Sequence, residues 1–597
     1  MTVPTGPLEP QALEESSAQP ATLVSVEGMV AAGGEFTPRA LVAGCLIGAW
    51  LAVSNVYMGL KTGFWESGSI MAAVLGFSFL AALGRRWGST PGVLETNLTQ
   101  TAASAVGAMP AAAGLLGSLP ALALMGVSVP AWSVVPWGIA LGVLGVLAAH
   151  LLRRRLLVDE ALPFPTGVAT AEVVTAMHKA GQVQEPGRAR ALLGAGLGSM
   201  ALTWLRDVLA WVPGMTAMPG RLAGLPASTF TWGFGWVPLA LGIGMMAGLP
   251  MGLSMPLGAA LGWGVLAPTL VTSQVVDSSA SYEALVGWLT WPGVGLMVGA
   301  ALVSLMGQAR ALLGALMDLR SLGSVGEGSG RWMLALALVA CGAVLALGLG
   351  VFELPLLHTL LMLALVLPLC AVCARGAGQM DVAPVGQMGQ LAQVASGTLV
   401  PGTAGLNVAA GSVVAGAVAP TGVSLWSLKA GLLLGASPPR QLLAQLLGVL
   451  VGAIVSVPAY LLLVKTYGLG SEALPAPSAH QFRVVAELST QGLSGLPAYA
   501  AQAAGIGFGV GAALTLASRG RLERFLPSPV AMGIGFILPA YFAVTIAMGG
   551  LLATLARRAQ PQGLGQHVSA LGAGTIGGES IMGLTIALLV WLGFIQR

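Results

Sequence analysis

RWMLALALVACGAVLALGLG, residues 331–350, and LPLLHTLLMLALVLPLCAVCA, residues 354–374, decide what kind of molecule this is. Each is the roughly 20-residue apolar run that a helix needs to cross the hydrocarbon core of a bilayer. Working outward from this pair, similar runs fall near 39–58, 68–84, 98–118, 131–151, 191–212, 233–249, 254–270 and 287–307. Toward the C-terminus they fall near 386–400, 403–421, 441–465, 499–517, 528–556 and 567–595. The expectation is an all-α polytopic membrane protein of about 16 transmembrane helices. Ser424–Ala436 is too short to cross and is expected to be re-entrant or part of a broken helix.

Composition agrees. Hydrophobic residues are 56% of the 597 and charged residues 8%, with a mean hydropathy of +0.85. Soluble domains carry about a quarter charged residues, so this chain could not cover its own surface in water. Its 86 glycines suit close helix approach and chain breaks at depth. Lysine occurs only at Lys61, Lys179, Lys429 and Lys465, and the arginines gather in short inter-helix loops. That is the positive-inside pattern rather than a basic face for nucleic acid. Cys45, Cys341, Cys370 and Cys373 fall in apolar runs and read as buried free thiols; the Cys370-x-x-Cys373 spacing has no histidine beside it. There is no Walker-type loop, no paired histidine and no arguable Ser/His/Asp order. ATP-driven pumping, metal cofactors and enzymatic chemistry are therefore not expected.

Loop charge orders the spans. Arg85–Arg86, Arg153–Arg155, Lys179 to Arg190, Arg310 to Arg331, Arg375, Arg440 and Arg519 to Arg524 are separated by even numbers of spans. They should share the cytoplasmic face with both termini; Arg557–Arg558 is the exception. Residues 1–38, polar and acidic, read as a disordered cytosolic leader. Two echoes divide the remainder: Leu60-Lys61-Thr62-Gly63 with Leu428-Lys429-Ala430-Gly431, and Leu162-Pro163-Phe164-Pro165 with Leu526-Pro527-Ser528-Pro529, at offsets of 368 and 364. They point to two related transmembrane halves, 39–375 and 376–597, with a site at their interface.

Ionisable and amide side chains held in apolar segments are the functional candidates, because a charge at the bilayer centre costs roughly 2.5–3.5 kcal/mol. Ser54 to Glu66 packs Asn55, Tyr57, Lys61 and Glu66 between two apolar runs, with Gly59 and Gly63 to let the backbone unwind. It reads either as a ligand-binding break or as an ordinary polar hairpin. Glu95 to Ser104 puts Thr96, Gln100 and Ala103 on one helical face and Asn97, Thr101 and Ser104 on another, so it belongs inside the bundle. Leu162 to Gly167 breaks the chain before Glu172, which either lines a cavity or caps a helix. Glu579 follows two glycines early in the last span and is either a proton site or a packing residue. Arg206 and Asp207, about 100° apart on a helix, should each pair with another helix. Lys429 echoes Lys61.

These same segments resemble the oligopeptide transporter family, particularly its bacterial and yellow-stripe-like branches. The matching stretches are Asn55–Gly63 (NVYMGLKTG), Glu95–Ser104 (ETNLTQTAAS), Leu162–Glu172 (LPFPTGVATAE), Ser427–Gln445 (SLKAGLLLGASPPRQLLAQ), Leu526–Gly549 (LPSPVAMGIGFILPAYFAVTIAMG) and Gly578–Gly583 (GESIMG). The resemblance implies secondary active import of short peptides across the cell (inner) membrane, driven by proton symport with no cofactor. Metal–chelate complexes of siderophore or nicotianamine type are the alternative cargo. Ser427 stands where chelate-carrying relatives often place an acidic residue, which leaves peptides ahead. On this reading Lys61 and Lys429 hold cargo carboxylates, Asn55, Tyr57 and Gln100 shape the site, and Glu95, Glu172 or Glu579 carries the coupling proton. The expected partners are the small-molecule cargo and the lipid bilayer, with a homodimer compatible.

Overall fold

The computed structural model describes residues 34–87, 90–179, 186–276, 281–307, 330–381, 383–400, 402–492, 497–518 and 526–595. The first helix shows how local chemistry sets its bounds. The Thr37 hydroxyl accepts from the Ala40 N–H at 3.2 Å, and Pro38 takes a first-turn position that needs no donor. The helix Pro38–Thr62 then runs until Gly63, whose φ of 77° supplies the left-handed cap. Just before it, Glu35 accepts from the Ser437 N–H at 2.7 Å and pairs with Arg440 at 2.9 Å. The end of the expected leader is thus docked on the fold; residues 1–33 lie outside the described part.

Eleven helices among the described residues are long and apolar enough to cross a membrane. The runs that opened the reading are Gly330–Gly350 and Leu356–Met380; Leu334, Leu338 and Val339 face outward, as lipid contact requires. Several other expected spans depart from a single crossing helix. The one near 98–118 is Val93–Gly107, then Met109–Ala112, then Ser118–Leu124. The one near 528–556 breaks into Pro529–Ile537 and Ala540–Ala559, because Leu538 before Pro539 is extended. Ser424–Ala436 is neither re-entrant nor broken off: nearly all of it is the end of one 31-residue helix, Ala404–Leu434, which lies at the centre of the bundle. Around that helix pack Ala131–Arg153, Leu356–Met380, Val385–Leu399 and Pro165–Lys179. Pro165–Lys179 and Pro529–Ile537 each open at one of the two echoed proline tetrapeptides.

The helical segment Pro238–Ala259 is a hairpin. Gly248, with φ 80° and ψ 177°, leaves the helical region, and Gly244 and Gly252 both lie against the carbonyl oxygen of Ile546. Eight residues of straight helix are about 12 Å long, so one atom could not meet both unless the chain turned back. Only glycine adopts the Gly248 conformation without strain. Residues 215–235 include small antiparallel strand pairs, Met215–Ala217 with Gly233–Gly235 and Arg221–Leu222 with Leu225–Pro226, so the start of the span expected near 233–249 is a strand. The expected loop 466–498 contains a further helix, Pro477–Gln491, whose Ala479, Phe482 and Val485 are buried. It is held against the end of the first helix by the Ala476 N–H, which donates to Leu60 O at 2.8 Å.

Two elements stop halfway along the first helix. Val93–Gly107 starts beside Arg39 and runs parallel to it until the Gly107 carbonyl accepts from Asn55 Nδ2 at 2.8 Å. The chain leaving Thr62 turns back along the same helix, and Gly68 packs on Leu51. From Leu51 to Thr62 is roughly 16 Å of helix, so Ser69–Trp87 begins near mid-height. Half-length helices meeting at depth are tolerated only where they are buried in protein or line a cavity.

Candidate functional site

Of the charged side chains singled out in the sequence, Lys61, Arg206, Asp207 and Glu579 converge and the rest lie apart from them. Glu579, fully buried on Leu564–Trp591, is the centre of an ion cluster. Its Oε1 accepts from Lys61 Nζ at 3.0 Å, Arg206 NH2 at 3.2 Å and Tyr57 OH at 3.3 Å. Its Oε2 accepts from the Leu239 N–H at 2.7 Å. Arg206 also clasps its own neighbour Asp207 at 2.7 and 2.9 Å. Arg206 thus meets another helix through Glu579, as expected, and it also folds over Asp207, the last residue of its own helix. Lys61 and Arg206 balance Glu579 and Asp207, and the Lys61 amine lies 4.8 Å from the Tyr57 ring centroid. Four elements distant in sequence are tied together here with no charge left over.

The other candidates divide by what they hold. Glu95 binds Arg39 at 2.7 Å and the Thr37 hydroxyl, fixing the start of Val93–Gly107 to the start of the first helix. Lys429 donates to Leu162 O at 2.9 Å and pins the proline turn. Glu172 is exposed on Pro165–Lys179. Gln100 donates to Ser104 and Ser427 at 3.0 and 3.1 Å, while its Oε1 and both polar atoms of the fully buried Asn97 have no partner. Asn55 gives all of its hydrogen-bonding capacity but one lone pair to backbone: Nδ2 to Gly107 O and Glu66 O, both at 2.8 Å, and Oδ1 from the Glu66 N–H at 3.1 Å. It is the clasp that folds residues 63–68 back into the protein.

What the clasp creates is a cavity of about 320 Å³, lined by Trp65, Glu66, Ser67, Ser69, Ile70, Thr166, Asp381, Ala383 and Trp426. Three of the segments read as chemically active meet there: the stretch ending at Glu66, the proline turn through Thr166, and the helix carrying Lys429 through Trp426. Asp381 accepts from the Thr166 N–H at 3.0 Å and its hydroxyl at 2.7 Å, capping the start of Pro165–Lys179. The Trp426 indole N–H is buried without a partner. Glu66 is exposed and lines the cavity. Ser69 links the cavity to the buried polar row through Ser104, at 3.3 Å, and from there to Gln100. Among the described residues, no lysine, arginine or histidine lines this space.

Thus Asn55 and Gln100 border or support the cavity, whereas Tyr57, Lys61, Lys429, Glu95 and Glu172 are placed elsewhere. Sequence reading passed over Glu66 and Asp381 as site residues. Glu66 stood at the end of a quoted stretch with a carboxylate and no obvious cation; Asp381, just past a helix end, gave no comparable signal.

A further carboxylate, Glu160, is held by two arginines. Glu160 is bound by Arg375 at 2.7 Å and by Arg155 at 3.0 Å. The Arg375 hydrogen bond, and then that of Arg155, holds this carboxyl below its usual range. These contacts put Arg155 and Arg375 on one face, as loop charge predicted for them.

Comparison with known proteins follows the same segments from end to end. The family profile described as OPT oligopeptide transporter protein matches residues 35–590. A protein of Haemophilus influenzae named "Putative oligopeptide transporter" is 28% identical, with 90% of this chain and 92% of that one covered. A protein of the same description from Saccharomyces cerevisiae is 24% identical over 86% and 90%. A probable metal-nicotianamine transporter of Oryza sativa is 24% identical over 96% and 94%.

Proposed function

Given that this chain belongs to the OPT oligopeptide transporter family, and is therefore a membrane transporter and not an enzyme, we propose that it imports short peptides by proton symport. The observation that carries this reading is the open cavity of about 320 Å³ beside the start of Ser69–Trp87, lined by polar and aromatic side chains from three of the segments singled out in the sequence. Its volume lies at the lower end of the roughly 300–1,000 Å³ typical of small-ligand pockets, which suits a di- or tripeptide. A peptide offers amide groups to Trp426, Ser67 and Ser69. A chelate built from carboxylates would instead place negative charge beside Glu66 and Asp381, with no cation in the lining to receive it. Peptides are therefore preferred over the metal–chelate reading that some relatives' names carry.

In the same reading the two halves, 39–375 and 376–597, move about the cavity with some 16 crossings between them. The face bearing Arg155 and Arg375 lies toward the cytoplasm of the cell membrane. Proteoliposomes test it. Labelled dialanine should accumulate when the lumen is more alkaline than the medium, a protonophore should abolish accumulation, and a ferric or zinc chelate in excess should compete poorly. Accumulation that ignores the pH gradient, or that the chelate suppresses better than unlabelled peptide does, would defeat the proposal.

A further inference from the structure

We propose that Glu66 is the group that carries the coupling proton, and that the cavity closes over its cargo only when this carboxyl is protonated. The inference rests on the peptide–proton reading above and names the residue that makes it work. Three carboxyls were the sequence's candidates for the coupling proton, and each is otherwise placed. Glu95 is bound by Arg39, Glu579 by Lys61 and Arg206, and Glu172 is exposed on its helix. Of the two carboxyls in the cavity, Asp381 is spent on capping Thr166 through two hydrogen bonds. For Glu66 the structure shows hydrogen bonds at its backbone N–H and carbonyl, both to Asn55, and none at its carboxyl. Asn55 therefore fixes where the carboxyl stands and leaves its oxygens to the cavity.

A second space touches the same residue. Between the first and last helices is a crevice of about 20 Å³, bordered by Glu66, Ser54, Trp50 and Gly577. A site of this size admits about one water molecule, and the buried Ser54 hydroxyl beside it has no partner. Glu66 thus stands between a one-water crevice and the main cavity, placed to accept a proton from water on one side and return it to water on the other. The groups facing it from every neighbouring element are few. The first helix contributes Trp50, Leu51, Ser54, Asn55 and Met58, and the last contributes Ala573, Ile576 and Gly577. Thr166 and Trp426 face it across the cavity, and among the described residues Asp381 is the one other ionisable group in either lining.

Charge then dictates the coupling. A zwitterionic peptide adds no net charge, yet it displaces the water that hydrates Glu66. Enclosing an uncompensated carboxylate without water is costly, so closure over cargo requires a proton on Glu66. The empty cavity keeps its water and returns without one. Cargo and proton are therefore carried in the same direction, as symport demands.

The experiment compares wild type with Glu66→Gln and Glu66→Asp in proteoliposomes. It reads dialanine accumulation under an inside-alkaline gradient and dialanine exchange with peptide on both sides and no gradient. Glu66→Gln should lose accumulation at least tenfold, while its exchange persists at an altered rate and no longer falls as pH rises. Glu66→Asp, which keeps a carboxyl, should still accumulate. Accumulation by Glu66→Gln equal to wild type would overturn the inference alone. So would loss of exchange together with accumulation in a Glu66→Gln protein that melts like wild type, since that would assign Glu66 to cargo binding. Failure of wild type to accumulate dialanine would instead remove the peptide–proton reading and this inference with it.

Discussion

Glu579→Ala lowers the stability of the folded protein by about 3–5 kcal/mol, the range for removing one partner of a buried ion pair. The carboxylate is fully buried and neutralises Lys61 and Arg206, while its second oxygen holds the Leu239 N–H. Its loss leaves Lys61 without an anion and Arg206 with only Asp207. The first helix, the Pro186–Asp207 helix, the start of the Gly248 hairpin and the last helix lose their common tie together. Thermal denaturation in detergent micelles reads this directly. Lys61→Met should cost less, because Arg206 still faces Glu579. The double variant Lys61→Met/Glu579→Gln should be more stable than Glu579→Ala, since it leaves no lysine charge stranded. Equal melting of Glu579→Ala and wild type would show that the cluster does not hold the bundle.

Ser67→Trp reduces peptide uptake at least tenfold with little change in melting temperature. Ser67 lines the 320 Å³ cavity, so an indole there occupies room that cargo needs. Because the cavity is water-accessible, the new ring displaces solvent more than it strains a packed core, where overpacking would cost about 1–3 kcal/mol. Glu172→Trp, on an exposed helical position, serves as the control and should transport normally. Uptake by Ser67→Trp at the wild-type rate would place the cargo path elsewhere.

The class of the molecule was legible because apolar length is a local property: 331–350 and 354–374 are helices with almost the bounds their composition suggests. The breaks were less so. Residues 63–68 read equally well as a surface hairpin, and what folds them inward is Asn55 bonding residues 11 and 52 positions away. The Gly248 turn has the same character, since its two arms are distinguished from one helix only by both meeting Ile546.

The fate of the intramembrane charges depended on still longer range. Lys61 and Lys429 stand out equally as isolated cations and share a tetrapeptide echo. One meets a carboxylate 518 positions away, and the other meets a backbone carbonyl 267 positions away. Nothing within a window of sequence distinguishes a paired charge from a free one. Glu66 is the reverse case: it reads as the polar edge of a loop, and only the folding of 63–68 back onto Asn55 brings its carboxyl to the cavity.

Transport through this cavity requires the space beside Ser69 to be open to water and occupied by cargo. In a variant with Cys45, Cys341, Cys370 and Cys373 replaced, Ser69→Cys should react with a membrane-impermeant thiol reagent, and saturating dialanine should slow that reaction severalfold. If the variant transports peptide while the thiol stays unreactive, or reacts at one rate with and without dialanine, the cavity is not the transport site.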